Sequence, residues 1–226
     1  MIGITERGDA AINHEWMTWV NNKQPAILIT KDPSKLFDLI NNQMNIIVHC
    51  TITGFGESIL EPNVPTYMSA LDGMYKIINL IGLKRVVLRI DPIIPTIKGK
   101  ETALKVFNYK QPNQRVRISF LDMYPHVCKR FENQGIALPW KGLHAPLDMR
   151  QQAALLFPEA EICGEPGFKC TGCISVKDCM ILDQFVAGFR GFQRPACACL
   201  AIKKELLSAK YQCPHKCIYC YWRGQE

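Results

Sequence analysis

Short aliphatic runs alternate along the first two-thirds of the chain with longer stretches in which apolar residues recur every three or four positions. The runs Ile2–Thr5, Ala26–Thr30, Asn45–Thr53, Arg85–Ile90, Arg115–Leu121 and Ala160–Cys163 read as strands. Between them, Asp9–Val20, Pro33–Ile40, Tyr67–Ile81, Lys100–Tyr109, Tyr124–Asn133 and Leu147–Phe157 read as helices, with Met68, Leu71, Tyr75 and Ile78 at helical spacing and with Ser34 and Asp148 near helix starts. Strands that alternate with helices pair in parallel through crossovers. The expected fold is therefore α/β, a partial (β/α)6 TIM-like barrel.

Polar and chain-bending residues gather just after the strands, in Thr53-Gly54-Phe55-Gly56, Asp91-Pro92, Asp122-Met123-Tyr124 and Gly164-Glu165-Pro166. Parallel α/β sheets build their sites at the carboxyl ends of strands, so the active face is expected to carry Thr51, Thr53, Asp91, Asp122 and Glu165. The competing reading, of equal weight for any one of them, is that they only make turns.

Composition narrows the classes. With 48% hydrophobic and 21% charged residues among 226, the chain is no disordered polymer. Asn45–Thr53 and Arg85–Ile94 are too short to span a bilayer and are interrupted by His49 and Asp91, and the first residues do not read as an export signal. The expectation is a cytoplasmic protein with no membrane partner. The net charge of +7 suits a nucleic-acid or phosphorylated partner but is equally common without one.

Cysteine changes the picture most. Of eleven, nine lie between Cys163 and Cys220. This divides the chain into a barrel unit, residues 1–162, and a cysteine-rich segment, residues 163–226, packed on the barrel mouth. Clustered thiols in a reducing compartment are better read as metal ligands than as disulfides, and nine exceed one tetrahedral site. Cys213, Cys217 and Cys220 are spaced CxxxCxxC with an aromatic residue before the third. That spacing can place three ligands on three irons of a 4Fe-4S cubane and leave the fourth iron open to a substrate or cofactor. The alternative is a zinc knuckle that takes His215 or an upstream cysteine as its fourth ligand.

The terminal motif resembles that of the radical S-adenosylmethionine (SAM) superfamily, although most members carry it after the first strand. The whole chain more closely resembles an uncharacterised bacterial family, a domain of unknown function with a radical-SAM-like cysteine cluster at its C-terminus. The matching stretches are Ile4–Asp9, Ile29–Pro33, Thr51–Gly56, Glu61–Pro65, Arg89–Ile94, Ser119–Tyr124, Gln193-Arg194, Cys197–Cys199 and Cys213–Tyr221. The family's usual opening Ser-Arg-Arg-Thr-Asp is reduced to Arg7 and Asp9, and the loop between the first two strands is shorter. The resemblance implies an oxygen-sensitive radical SAM enzyme in which Cys213, Cys217 and Cys220 hold a SAM-binding 4Fe-4S cluster. SAM is then split reductively to a 5′-deoxyadenosyl radical, which requires a one-electron donor such as flavodoxin or ferredoxin.

A second metal site is expected among Cys163, Cys170, Cys173, Cys179, Cys197 and Cys199, as another 4Fe-4S cluster or as structural zinc. Cys170, Cys173 and Cys179 form a CxxCxxxxxC motif, whereas the family resemblance favours Cys163, Cys173, Cys197 and Cys199; the two sets stay open. Thr51, Thr53, Arg89, Asp91, Ser119 and Asp122 would bind SAM, with Arg89 clamping its carboxylate; a buried Arg89–Asp91 ion pair is an equal alternative. His49, His126 and His144 have no metal spacing, Cys50 and Cys128 read as core, and Trp16 and Trp19 as core or interface. Tyr219, Tyr221 and Trp222 would keep water from the cluster. From Cys163 onward there are nine Lys and Arg against five Asp and Glu, which suits a nucleic-acid base or nucleotide as substrate. Two other classes remain: a zinc-stapled nucleic-acid-binding module without catalysis, and an iron–sulfur electron carrier.

Overall fold

The computed structural model describes residues 1–185, 196–200, 203–208 and 213–222. The Gln193-Arg194 stretch of the family resemblance lies outside the described residues. Strands β1 (Ile2–Ile4), β2 (Ala26–Thr30), β3 (Ile46–Thr51), β4 (Val86–Ile93), β5 (Val116–Phe120), β6 (Glu161–Ile162) and β7 (Lys203–Glu205) form one curled sheet in the order β6-β5-β4-β3-β2-β1-β7. Every pairing is parallel, which gives a half-barrel. The helices are α1 (Trp16–Asn21), α2 (Pro33–Phe37), α3 (Tyr67–Ile81), α4 (Ile97–Phe107), α5 (Pro125–Asn133), α6 (Leu147–Ala154) and α7 (Val176–Ile181). Among the described residues, no helix is long and apolar enough to cross a membrane.

Alternation along the strands sorts side chains between two faces. Ala26, Leu28, Ile46, Val48, Cys50, Val86, Leu88, Ile90, Val116, Ile118 and Phe120 join the core that the helices cover, with Leu71, Met74 and Ile77 from α3 and Ala103, Val106 and Phe107 from α4. Ile27, Ile29, Ile47 and Val87 point the other way, into the hollow of the half-barrel. There they pack with Ile2, Ile4, Cys163, Cys173, Ile174, Cys179, Leu182, Cys197, Cys199 and Leu200. The cysteine-rich segment is thus the filling of the concave face.

The helix ends follow local chemistry. Thr66 caps α3 by accepting from Ser69 N, Thr96 caps α4 by accepting from Gly99 N, and Asp32 caps α2 by accepting from Lys35 N. Gly73 lets α3 approach α2 closely, because a Cβ there would collide with the Ser34 backbone nitrogen.

Three differences from the sequence reading have plain causes. The sheet has a seventh strand, because Lys203–Glu205 adds to the free edge of β1. Helix α1 begins at Trp16 and not at Asp9, since the Asp9 carboxylate accepts from Ala11 N and holds residues 9–13 in a turn. Helix α7 is closed by a reciprocal cap in which Ser175 and Asp178 bond each other's backbone.

Candidate functional site

Residues 213–222 lie over the carboxyl ends of the strands, tied down along their length. His215 Nε2 is 2.7 Å from Asp9 Oδ2, and its Nδ1 is 3.0 Å from Asn63 O. Asn63 donates to Pro214 O at 2.7 Å, Ile218 N to Leu60 O at 3.1 Å, and Arg130 Nε to Ile218 O at 2.7 Å. A second arm of Arg130 reaches Cys220 O, and His126 Nε2 meets Tyr221 O at 3.0 Å. Arg7 lies over the Trp222 ring, 5.2 Å from its centroid. Within this loop Cys217 is buried, while Cys213 and Cys220 are partly exposed; none is in a disulfide.

Two buried charge networks hold the loop from below. Asp9 accepts from Ala11 N, Thr30 Oγ1, Lys31 N and His215. Burial alone would raise the Asp9 carboxyl; these bonds, led by that from His215, outweigh it and bring it below its ordinary value. Next to it, Lys31 Nζ lies 2.6 Å from Glu61 Oε1 and 2.9 Å from the Tyr219 hydroxyl, while Thr53 Oγ1 donates to Glu61 Oε2 at 2.6 Å. Tyr219 also donates to Glu61. Burial would lower the Lys31 ammonium, but Glu61 and then Cys217 outweigh it and raise it. The Cys217 thiol is pushed up to about 12 by burial, against the pull of Lys31, and the Cys213 thiol to about 11, again by burial. The charges of Cys220 and Cys213 act on Cys217, so the three thiols share one electrostatic neighbourhood.

Several predicted site residues gather beside this loop. Thr51 is buried on β3 opposite Arg89 of β4, and its hydroxyl has no hydrogen-bond partner among the described residues. Arg89 pairs with Asp91, and Ser119 donates to the same carboxylate. The Asp91 charge acts on both Lys31 and Tyr219, and that of Tyr221 on Arg89, which joins the strand ends to the cysteine loop. Thr53 is taken up by Glu61, and Asp122 pairs with His144 at 2.7 Å. Glu165 faces inward as a structural carboxylate that accepts from Phe120 N at 2.7 Å and Arg150 Nη1 at 3.2 Å.

A second thiol group sits deeper in the hollow. Cys163 and Cys173 sulfurs are 3.5 Å apart, and Cys199 Sγ accepts from Cys173 N at 3.0 Å. A Glu6 carboxylate oxygen and the Cys173 and Cys199 sulfurs all lie within 4.8 Å of one another. Hydrogen bonds from Cys163 and Cys199, with Arg89 and Arg117 nearby, hold the Cys173 thiol well below its usual value despite burial. Cys197 is buried in the same cluster of side chains. Cys170 stands apart, its thiol bonded to Glu165 and Phe168 backbone, and Cys179 is buried on α7. The Cys163, Cys173 and Cys199 members of the family-like set therefore converge, while Cys170 is turned away from them.

A family model described as a domain of unknown function, DUF1848, matches residues 17–222. The chain belongs to this family. No curated protein and no solved structure matches it. In this DUF1848 chain the cysteines and strand ends are legible from sequence spacing, but Glu6, Lys31, Glu61 and the Asp9–His215 pair are not. Their partners are distant in sequence, and the signal the sequence offers is a charged residue placed directly after an aliphatic strand, as in Lys31. His126 and His144 bond Tyr221 O and Asp122, and His49 Nε2 meets Arg117 at 3.4 Å. Trp16 and Cys50 are core, Trp19 packs against it, and the partly buried Cys128 thiol reaches Met123 O.

Proposed function

We propose that this DUF1848 chain is a radical SAM enzyme whose Cys213, Cys217 and Cys220 hold a 4Fe-4S cluster over the mouth of the half-barrel. The observation that carries the reading is the docking of a CxxxCxxC loop onto the carboxyl ends of parallel strands, through the His215–Asp9 pair on one side of Cys217 and the Tyr219 hydrogen bond to the Lys31-paired Glu61 on the other. The residues present fit such a group. The three thiols are free of disulfides and share one electrostatic neighbourhood, and a cubane takes one thiolate on each of three irons.

A 4Fe-4S cluster held by Cys213, Cys217 and Cys220 would supply one-electron reduction of SAM, with cleavage of its sulfur–carbon bond and release of methionine, and so hydrogen abstraction from a substrate. The chain's own residues prepare the place. Lys31 offsets negative charge at Cys217, and buried Ile218 and Tyr219 keep water from that side. The unpartnered Thr51 hydroxyl is ready to bond a polar ligand, and Arg89, Asp91 and Ser119 form the adjoining polar edge. Asp122 stands across from His144 at the same end of the sheet. A flavodoxin- or ferredoxin-like donor would deliver the electron, and the basic balance of residues 163–226 makes a nucleic-acid base or nucleotide the first substrate class to test.

The test is purification without oxygen, iron and acid-labile sulfide analysis, and electron paramagnetic resonance of the reduced protein with and without SAM. A cluster signal perturbed by SAM, together with 5′-deoxyadenosine formation that Cys217→Ala abolishes, is expected. Zinc without sulfide, or a cluster indifferent to SAM, overturns the reading.

A further inference from the structure

The deeper thiol group differs from the C-terminal trio in spacing, in donors and in position. Glu6, Cys173 and Cys199 ligand atoms lie within 4.8 Å of one another, and the Cys163 sulfur joins them through Cys173, 3.5 Å away. A tetrahedral ion with metal–sulfur bonds of about 2.3 Å sets its ligand sulfurs about 3.8 Å apart. A cubane instead gives each cysteine its own iron and spreads the sulfurs farther. The donor set is three sulfurs and one carboxylate oxygen, a mixture that suits a borderline ion such as zinc better than a purely soft one.

We infer that Cys163, Cys173, Cys199 and Glu6 form a binding site for one divalent ion of the zinc type, separate from the C-terminal cysteine loop. The surroundings support it. Arg89, Arg117 and Lys203 place positive charge close enough to act on these thiols, which offsets the negative charge of a thiolate-rich centre. Glu6 Oε2 accepts from Lys203 Nζ at 2.8 Å, the outer hydrogen bond that orients a ligating carboxylate.

The position gives the ion a task. Cys163 follows β6 at one edge of the sheet, Cys199 precedes β7 at the other edge, and Glu6 follows β1. One ion bound to all of them joins the two edges of an open half-barrel across its hollow and anchors Cys173, whose carbonyl accepts from Arg117. It replaces the closure that the missing strands of a full barrel would provide.

The experiment uses the full chain with Cys213→Ala, Cys217→Ala and Cys220→Ala together, purified without oxygen, with metals counted by plasma mass spectrometry and sulfide assayed in parallel. One zinc per chain without sulfide is expected; several irons with matching sulfide, or no tightly held metal, overturns the inference. The same count on the wild-type chain covers a variant that fails to fold: one zinc is expected beside whatever iron the C-terminal loop holds, and sulfide-matched iron for two clusters overturns it. Cobalt exchanged into the site should give intense thiolate charge-transfer and tetrahedral d–d bands, weakened in Cys199→Ser and shifted in Glu6→Gln. Bands unmoved by Glu6→Gln overturn the carboxylate ligand. Because the C-terminal cysteines are removed, the outcome is independent of SAM chemistry: zinc here with no cluster in the wild-type protein would sink the radical reading alone.

Discussion

Asp178→Asn removes one charge from a buried ionic cluster. The Asp178 and Arg117 side chains are fully buried, and Arg115 and Glu161 complete a set of two positive and two negative groups. Asp178 accepts from Arg115 Nη1 at 2.7 Å, Ser175 Oγ at 2.7 Å, Ser175 N at 2.8 Å and Arg117 Nη2 at 3.4 Å. The substitution leaves a net positive charge in the hollow beside Cys173 and weakens the cap of α7. Breaking a buried pair on one side costs about 3–5 kcal/mol. With a urea slope of about 3 kcal/mol per molar for a chain of this size, the midpoint should fall by about 1–2 M. Acid provides an internal check. Burial would raise the Asp178 carboxyl, but Arg117 and Arg115 outweigh it and lower it from 3.8 to about 2. A folded value below the unfolded one means that the stabilisation is complete above pH about 4 and is lost as pH falls toward 2, an effect of about 2 kcal/mol. The gap in stability between wild type and variant should therefore narrow as urea titrations move from pH 5 to pH 2. A loss below about 1 kcal/mol, the worth of an exposed pair, or a gap that does not change with pH, would refute the reasoning.

Glu61→Gln strips Lys31 of its buried counter-charge and should cost about 3–5 kcal/mol by calorimetry, part of which Lys31→Met in the same chain restores. Gly56→Ala forces a methyl group onto the Pro65 carbonyl, within the loop that carries Glu61, and should lower stability by about 1–3 kcal/mol in chemical denaturation. Thr51→Val deletes a buried hydroxyl that has no partner, so denaturation should show stability unchanged or raised by about 1 kcal/mol, while SAM affinity by equilibrium dialysis falls about fivefold to tenfold.

The aliphatic strands were legible because burial on both faces demands near-continuous Ile, Val and Leu, as in Ala26–Thr30 and Ile46–Thr51. Strand β7 was hidden for the same reason inverted: Lys203-Lys204-Glu205 is a polar strand that pairs, among the described residues, with β1, so no hydrophobic pattern marks it. Helix α7 had a readable signal in Ser175 and Asp178, three residues apart. Asp9 misled in the opposite sense, since a residue that suits a helix start here bonds its own backbone and makes a turn. Cysteine spacing exposed the terminal loop, but spacing alone left the deeper ligand sets open. In the structure Cys163 meets Cys173, Cys170 turns toward Glu165, and Glu6 approaches from just after the first strand.

The place of the cysteines in the fold follows from the shape of the sheet. A half-barrel leaves its concave face open, and that face is divided along the strands. Its amino-terminal half is aliphatic on β1 to β4, with Ile2, Ile27, Ile47 and Val87, and is closed on the β5 side by the Arg115–Arg117–Glu161–Asp178 cluster; its carboxyl half is polar, with Thr51, Arg89, Asp91 and Ser119. An aliphatic hollow has to be filled by apolar matter to exclude water, whereas the polar rim needs a roof that offers hydrogen bonds. A segment able to do both needs soft, compact side chains below and bonding groups above. Cys163, Cys173, Ile174, Leu182 and Leu200 serve the first need, and His215, Ile218 and Tyr219, tied to Asp9, Leu60 and Glu61, serve the second. Packing and chemistry thus make the same demand on one stretch of chain, and a thiol, small and hydrophobic when protonated yet a strong ligand when not, satisfies both.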